Sequence, residues 1–131
     1  MLCFIVRIYD RNSYLILSTF SFSGIDDVHT WGYYLSMRFE WDHLKNQANI
    51  KKHKVSFEEA KEVFDDPLHI SILDKRFSYF EERWVSIGQS KQHKLLVVAN
   101  LFFDDSGEEV IRIISAREAT VHEQRQYETY G

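Results

Sequence analysis

The chain has 131 residues, of which 44% are hydrophobic and 27% charged, which suits a single globular domain and excludes a disordered chain. Its formal net charge of −4 argues against a general nucleic-acid binder, so any RNA site must be a local group of basic residues. The single cysteine excludes an internal disulfide, and no apolar run approaches the ~20 residues that span a bilayer, so we expect a cytoplasmic protein without a membrane segment.

The N-terminal segment 1–36 differs in character from the rest of the chain. Residues 2–6 and Tyr14–Phe20 are aromatic and β-branched runs on either side of a turn-forming segment, which is compatible with a β-hairpin. A secretory signal is less favoured, because charged residues would interrupt its apolar region. A third interpretation treats 1–36 as an extension produced by an upstream start, with Met37 as the natural first residue of a domain over 37–131.

A short strand and a helix are predicted next. Residues 38–41 alternate polar and apolar side chains, as a half-buried strand does. Asp42 then offers a carboxylate that can cap the free N–H groups of a helix running to about His53. Three apolar side chains are expected to share the inner face of this helix: Trp41, Leu44 and Ala48.

A second helix is predicted to begin at Phe57, because Ser56 and Glu59 form a capping box, and to end before Pro67. Beyond it the apolar period changes from helical to two, which predicts four strands. These strands are expected at 68–72, 83–87, 95–103 and 109–115. Their connections are polar and turn-forming, so neighbouring strands are expected to be antiparallel.

A last short helix is predicted from the capping box of Thr120 and Glu123 to about Tyr127. The elements together predict an α+β fold. In this fold two N-terminal helices pack on a twisted antiparallel β-meander that is followed by a short C-terminal helix.

Several stretches of the sequence carry a family resemblance. They are FEWD at 39–42, residues 49–53, VSFEEA at 55–60, residues 63–67, the Ile-Gly pair at 87–88 and RIISAR at 112–117. In this order and at these spacings, they are similar to the BrnT family over nearly all of 37–130. Chains of that family typically begin just before the FEWD strand, which favours Met37 as the natural start.

The resemblance implies a RelE-like fold and a ribonuclease toxin that cleaves RNA, arrests growth and is silenced by a BrnA-like antitoxin. Such an antitoxin carries a ribbon-helix-helix region, so operator DNA would be reached only through it. The sequence departs from the family pattern at Lys54, where a glycine often follows the histidine, and in a last helix that is less basic. These departures leave open a binding protein that keeps the fold and the antitoxin contact with weak or absent catalysis.

Three residues are candidates for catalysis, because metal-independent RNA cleavage needs a base, an acid and a cation for the charge on the phosphate. Arg112 is the main one, since alternation places it opposite Ile111 and Ile113, where its guanidinium can grip a phosphate. Arg117 is expected just past the strand, beside the free N–H groups of the last helix. His53 lies among lysines and can exchange protons near neutral pH. The respective alternatives are a solvated sheet arginine, a surface ion pair and a helix-end histidine.

The residues expected to contact RNA are Lys51, Lys52, Lys54, Arg83, Arg125 and Tyr127. Arg83 follows two glutamates, so a structural ion pair is the favoured alternative there, and Tyr127 suits either a core or a base-stacking position. The histidines lie at no spacing that builds a metal site with cysteine or carboxylate partners, so no metal and no cofactor are expected.

Overall fold

The structure is a computed structural model that describes residues 4–10, 14–20, 38–76 and 81–130. Its strands are β1 (Phe4–Asp10), β2 (Tyr14–Phe20), β3 (Arg38–Glu40), β4 (Ile70–Leu73), β5 (Trp84–Gln89), β6 (Leu95–Asp105) and β7 (Glu108–Glu118). Its helices are α1 (His43–His53), α2 (Phe57–Lys61), which continues as a 3-10 turn over Glu62–Asp65, and α3 (Val121–Tyr130). The predicted α+β class is confirmed.

The strands form one mixed sheet in the order β2-β1-β4-β5-β6-β7-β3. Strands β4 to β7 are antiparallel neighbours in chain order, as predicted. The prediction of a purely antiparallel sheet is wrong, because β3 runs parallel to β7 and β1 runs parallel to β4. The alternation at 38–41 shows a strand but not its partner. After β3 the chain passes through both helices before it enters the meander at β4. In the sheet, β3 pairs with β7, the last strand of the meander, and not with β4, the first.

In the N-terminal segment, β1 and β2 pair with each other in antiparallel register from Phe4↔Phe20 to Asp10↔Tyr14. The turn between them and residues 21–37, which include Met37, lie outside the described residues. The division of the chain into 1–36 and 37–131 therefore stays a prediction.

Helix α1 begins as predicted, since the Asp42 carboxylate accepts hydrogen bonds from the N–H groups of Leu44 and Lys45 at 2.8 and 3.1 Å. Its predicted inner face is wrong for Leu44 and Ala48, whereas Trp41 does pack against buried core residues. Leu44 is 73% exposed and Ala48 is also exposed, whereas Asn49 is only 6% exposed. The face of α1 that packs is polar, because its amide side chains bond to backbone groups of neighbouring elements, and the apolar Leu44 and Ala48 lie on the exposed side.

The amide of Asn49 ties α1 to β7. Its Nδ2 donates to the carbonyl oxygens of Val55 and Ala116, each at 2.8 Å, and its Oδ1 accepts from the Ala116 N–H at 3.1 Å. One turn earlier, Asn46 accepts from the Phe57 N–H at 2.9 Å. The side chains of α1 therefore satisfy backbone groups that would otherwise be buried without a partner.

The main core lies between α2 and one face of the sheet. Its buried members are Val55, Phe57, Ala60, Val63, Phe64, Leu96, Val98, Ile111, Ile113 and Ala116. Helix α2 starts as predicted, because the Ser56 hydroxyl accepts from the Glu59 N–H at 3.1 Å. Gly88 allows the close approach, since a Cβ there would lie 2.8 Å from a methyl of Val63 and 2.9 Å from its carbonyl oxygen. We call this side the helix face.

The opposite side of the sheet, which we call the open face, carries a smaller apolar cluster of Ile70, Ile87 and Val97. Ala119 and Tyr127 pack against this cluster, so the α3 segment covers part of the open face. The register of β6 and β7 places Arg112 and Arg117 on this side.

Candidate active site

A β-bulge in β7 brings both candidate arginines to the open face. Arg112 pairs with Leu101, and Arg117 pairs with Val97, four residues away on β6. The two arginines are five residues apart, which would put them on opposite faces of a regular strand. At the register shift between Ala99 and Asn100, one residue of β7 has no partner on β6. Both arginine side chains therefore project from the same face of the sheet, with their Cα atoms about 13 Å apart.

Arg112 lies at the boundary between solvent and sheet, with 48% of its side chain exposed. Its Nε donates to Oε1 of Glu40 at 2.6 Å, and its Nη2 lies 2.5 Å from the same oxygen. The guanidinium also lies 5.1 Å from the centre of the Phe103 ring, a cation–π distance. These contacts fix the plane of the group, while the edge formed by Nη1 and Nη2 keeps donor capacity for an oxyanion.

Arg117 is not where the sequence predicted it. Strand β7 continues to Glu118, so Arg117 lies within the strand and not at the start of α3. Its two terminal nitrogens donate to the carboxylate oxygens of Glu123 at 2.7 and 2.9 Å. The apolar residues of β7 end at Ala116, so the pattern did not show that the pairing continues. The ion pair that the sequence left as an alternative is present.

The capping box of Thr120 and Glu123 is confirmed, because each residue accepts a hydrogen bond from the backbone N–H of the other. The Glu123 carboxylate is also the partner of Arg117. Glu123 accepts from the Thr120 N–H at 2.9 Å, while its own N–H donates to the Thr120 hydroxyl at 3.3 Å. Burial would raise the pKa of Glu123, but the hydrogen bonds from Arg117 and Thr120 lower it to about 2. The carboxylate therefore stays charged and anchors the start of α3 to β7.

His53 and the lysines lie at the C-terminal end of α1. His53 is the last residue of α1 and half-buried, while Lys51 and Lys52 are exposed in the same final turn. Lys54 follows as the helix cap with φ 61°, a left-handed conformation that glycine adopts more easily. Lys54, which stands where the family often has glycine, thus adopts a backbone conformation that is strained for a residue with a side chain.

The remaining predicted RNA contacts are scattered. Arg125 is exposed on α3, and Arg83 is half-buried before β5, where its carbonyl oxygen accepts from the Asp74 N–H at 2.7 Å. Tyr127 donates its hydroxyl to Asp66 at 2.7 Å, and burial together with this bond raises the pKa of Tyr127 well above its usual range. Tyr127 therefore serves as a tie between α3 and the segment before β4.

Sequence reasoning missed Glu40. It belongs to the FEWD stretch, but its position opposite Arg112 follows from the parallel pairing of β3 with β7. No local signal could reveal this pairing, because the two residues are separated by 72 positions in the chain.

Two further findings concern metals and membranes. Within residues 38–76 and 81–130, no group of three or more His, Cys, Asp or Glu side chains is placed to hold a metal ion. Among the helices of the described ranges, none has the length and apolar character needed to cross a membrane.

Comparison with known proteins identifies the class. Residues 41–123 match the family model described as "Ribonuclease toxin, BrnT, of type II toxin-antitoxin system", which covers more than half of the chain. The protein is thus a ribonuclease toxin of a type II toxin-antitoxin system, a class that implies an antitoxin partner. Within this class the chain belongs to the BrnT family, as the ordered sequence stretches predicted.

A solved structure is also similar. The 1.1 Å crystal structure of the Brucella abortus ribonuclease toxin BrnT shares 24% sequence identity, with a TM-score of 0.47, over 64% of this chain and 97% of that chain. No curated protein is similar enough to this chain to count as a match.

Proposed function

We propose that this protein is a metal-independent endoribonuclease of the cytoplasm that cleaves RNA, arrests growth and is neutralised by a BrnA-like ribbon-helix-helix antitoxin. In this proposal the open face of the sheet is the RNA site. The observation that carries it is the bulge of β7, which turns Arg112 and Arg117 to the same face. Two cations on one face are suited to neighbouring phosphates of a single RNA strand.

In the proposed reaction, the 2′-hydroxyl of the RNA attacks the adjacent phosphorus and the 5′-oxygen of the next nucleotide leaves. Arg112 would hold the oxygens on which negative charge develops, with the guanidinium edge that Glu40 does not engage. His53 is the candidate to supply the proton for the leaving oxygen, because a histidine side chain can act as a general acid. Lys51, Lys52 and the exposed Arg125 would attract the RNA backbone.

Arg117 has a smaller role in this proposal than Arg112. Its terminal nitrogens are engaged end-on by Glu123, so only its Nε side remains for a phosphate. Arg83, Lys54 and Tyr127 are secondary candidates for RNA contact. Tyr127 is the weakest of them, because its hydroxyl is bonded to Asp66.

A second candidate function is a binding protein that keeps the antitoxin contact but has weak or no catalysis. Two observations favour it. Both arginines already face a carboxylate, Glu40 for Arg112 and Glu123 for Arg117, and the chain carries a net charge of −4. A phosphate would have to compete with these carboxylates for the same donors.

The test is to induce the full chain in bacterial cells, as wild type and as Arg112→Ala, and to measure growth and RNA integrity. The purified proteins are then assayed on a mixed-sequence oligoribonucleotide in the presence of a chelator. Arg76→Ala is the matched control, because Arg76 is a 62% exposed arginine that is paired with Asp74 and lies outside the proposed site.

We expect wild type and Arg76→Ala to cleave RNA, and Arg112→Ala to be slower by roughly 100-fold or more, since one donor to a developing charge is worth this much. Equal rates for all three would refute the role of Arg112. Intact RNA with wild type, together with binding of a BrnA-like antitoxin, would support the second function. Loss of cleavage on chelation would refute metal independence.

A further inference from the structure

We propose that Glu40 is a catalytic residue that accepts the proton of the attacking 2′-hydroxyl. This inference rests on the ribonuclease function proposed above and assigns the base that the reaction requires. It comes from the strand pairing, which sets Glu40 directly opposite Arg112 on the open face.

The position of Glu40 is fixed from two sides. Its backbone lies in β3, in parallel register with Arg112 of β7. Its Oε1 accepts from Arg112 at 2.6 Å, and its Oε2 has only a long contact of 3.5 Å to Arg38. The side chain is 27% exposed, so Oε2 can accept a further hydrogen bond from a molecule that binds to this face.

Arg38 does not depend on Glu40 for its charge balance. Arg38 has two other carboxylate partners, Asp105 at 2.8 Å and Glu108 at 3.3 Å. With Glu40 included, two arginines face three carboxylates. The extra carboxylate of this group lies on the Arg38 side, so Arg38 leaves Glu40 to Arg112, the arginine proposed to hold the phosphate.

The chemistry follows from this adjacency. A phosphate held by Arg112 brings the neighbouring 2′-hydroxyl close to Oε2 of Glu40. The hydroxyl proton passes to that oxygen while the 2′-oxygen forms a bond to phosphorus, and the bond from phosphorus to the 5′-oxygen breaks. The 5′-oxygen takes a proton from water. The products are a 2′,3′-cyclic phosphate and a 5′-hydroxyl, and Glu40 later returns its proton to solvent.

The test uses the full chain with two probes: a mixed-sequence oligoribonucleotide for cleavage, and its 2′-O-methyl form, which cannot be cleaved, for binding. The variants are Glu40→Gln, which keeps the size of the side chain, and Glu40→Ala, assayed with and without added formate. Asp105→Asn is the matched control, because it removes another carboxylate from the same cluster without touching Arg112.

We expect Glu40→Gln to reduce the cleavage rate by roughly 100-fold or more, with binding of the 2′-O-methyl probe unchanged or tighter. Formate should restore part of the rate of Glu40→Ala, which a structural defect would not allow. Asp105→Asn should cleave within about threefold of wild type. Arg112→Ala is measured in parallel.

Three results would overturn the assignment. The first is cleavage by Glu40→Gln at or above the wild-type rate, which would mean that Glu40 only holds Arg112 away from phosphate. The second is a slow Glu40→Ala that formate does not rescue. The third is wild type that cleaves nothing, which refutes the proposed function as a whole. In the first two, wild type cleaves and Arg112→Ala does not, so the proposed function survives.

Discussion

Replacing Asn49 with alanine should destabilise the protein more than any other change on α1. Its side chain makes three hydrogen bonds to backbone groups of Val55 and Ala116, and the residue is 6% exposed. Alanine would leave these three groups without a protein partner. Each such group costs about 1–3 kcal/mol, and water can reach some of them at the sheet edge, so we expect a loss of about 3–5 kcal/mol.

The assay is urea unfolding followed by far-ultraviolet circular dichroism, with Gln47→Ala as the matched control. Gln47 is exposed on the same helix, and its side chain has a hydrogen bond of 3.2 Å to the exposed His43, so its loss should change the free energy of unfolding by less than about 0.5 kcal/mol. Asn46→Ala, which removes one hydrogen bond to the Phe57 N–H, should fall between them. If Asn49→Ala unfolds within about 0.5 kcal/mol of Gln47→Ala, the argument that these amides anchor α1 is wrong.

Two other predictions concern acid stability and the end of α1. The pKa of Glu123 is lowered to about 2, so its pairing with Arg117 contributes fully above the unfolded-state value near ~4.3 and is lost as pH falls toward 2. At pH 6, the free energy of unfolding of Glu123→Gln should therefore be lower than that of wild type by about 1–2 kcal/mol. This figure is reduced for solvent screening, because Arg117 is 41% exposed. In an acid titration, the difference should vanish near pH 2. Equal acid transitions would contradict it. Lys54→Gly should raise the free energy of unfolding by about 0.5–1 kcal/mol, because Lys54 has φ 61°, and a lower melting temperature would count against this reasoning.

Local signals in the sequence predicted the helix starts and failed on the face of α1. The capping residues Asp42, Ser56 and Thr120 all make the hydrogen bonds expected of them, because a cap involves only the next three residues. The inner face of α1 was predicted from apolar spacing. Asn49 is buried instead of Leu44, since its amide bonds to a strand 67 positions later.

The sequence named candidate site residues, whose roles stay predictions, but it did not give their geometry. Alternation indicated correctly that Arg112 faces away from the buried Ile111 and Ile113. It did not reveal the bulge that brings Arg117 to the same face, because a strict period of two has no place for an extra residue. The pairing with Glu40 depends on which strands become neighbours, and this is decided by the packing of the whole domain.

The way in which β7 is covered limits how another protein can join this sheet. Strand β3 pairs with Val110 to Arg112, and further along the same strand the Asn49 amide takes both backbone groups of Ala116 as a neighbouring strand would. The unpaired backbone groups of an open strand edge can pair with a strand of another protein. On β7 these groups are covered by the three residues of β3 and by the side chain of Asn49. An antitoxin that bound by adding a strand at this border would thus pair with β3, the edge strand, and not with β7, which leaves the arginines of β7 to be blocked by other means.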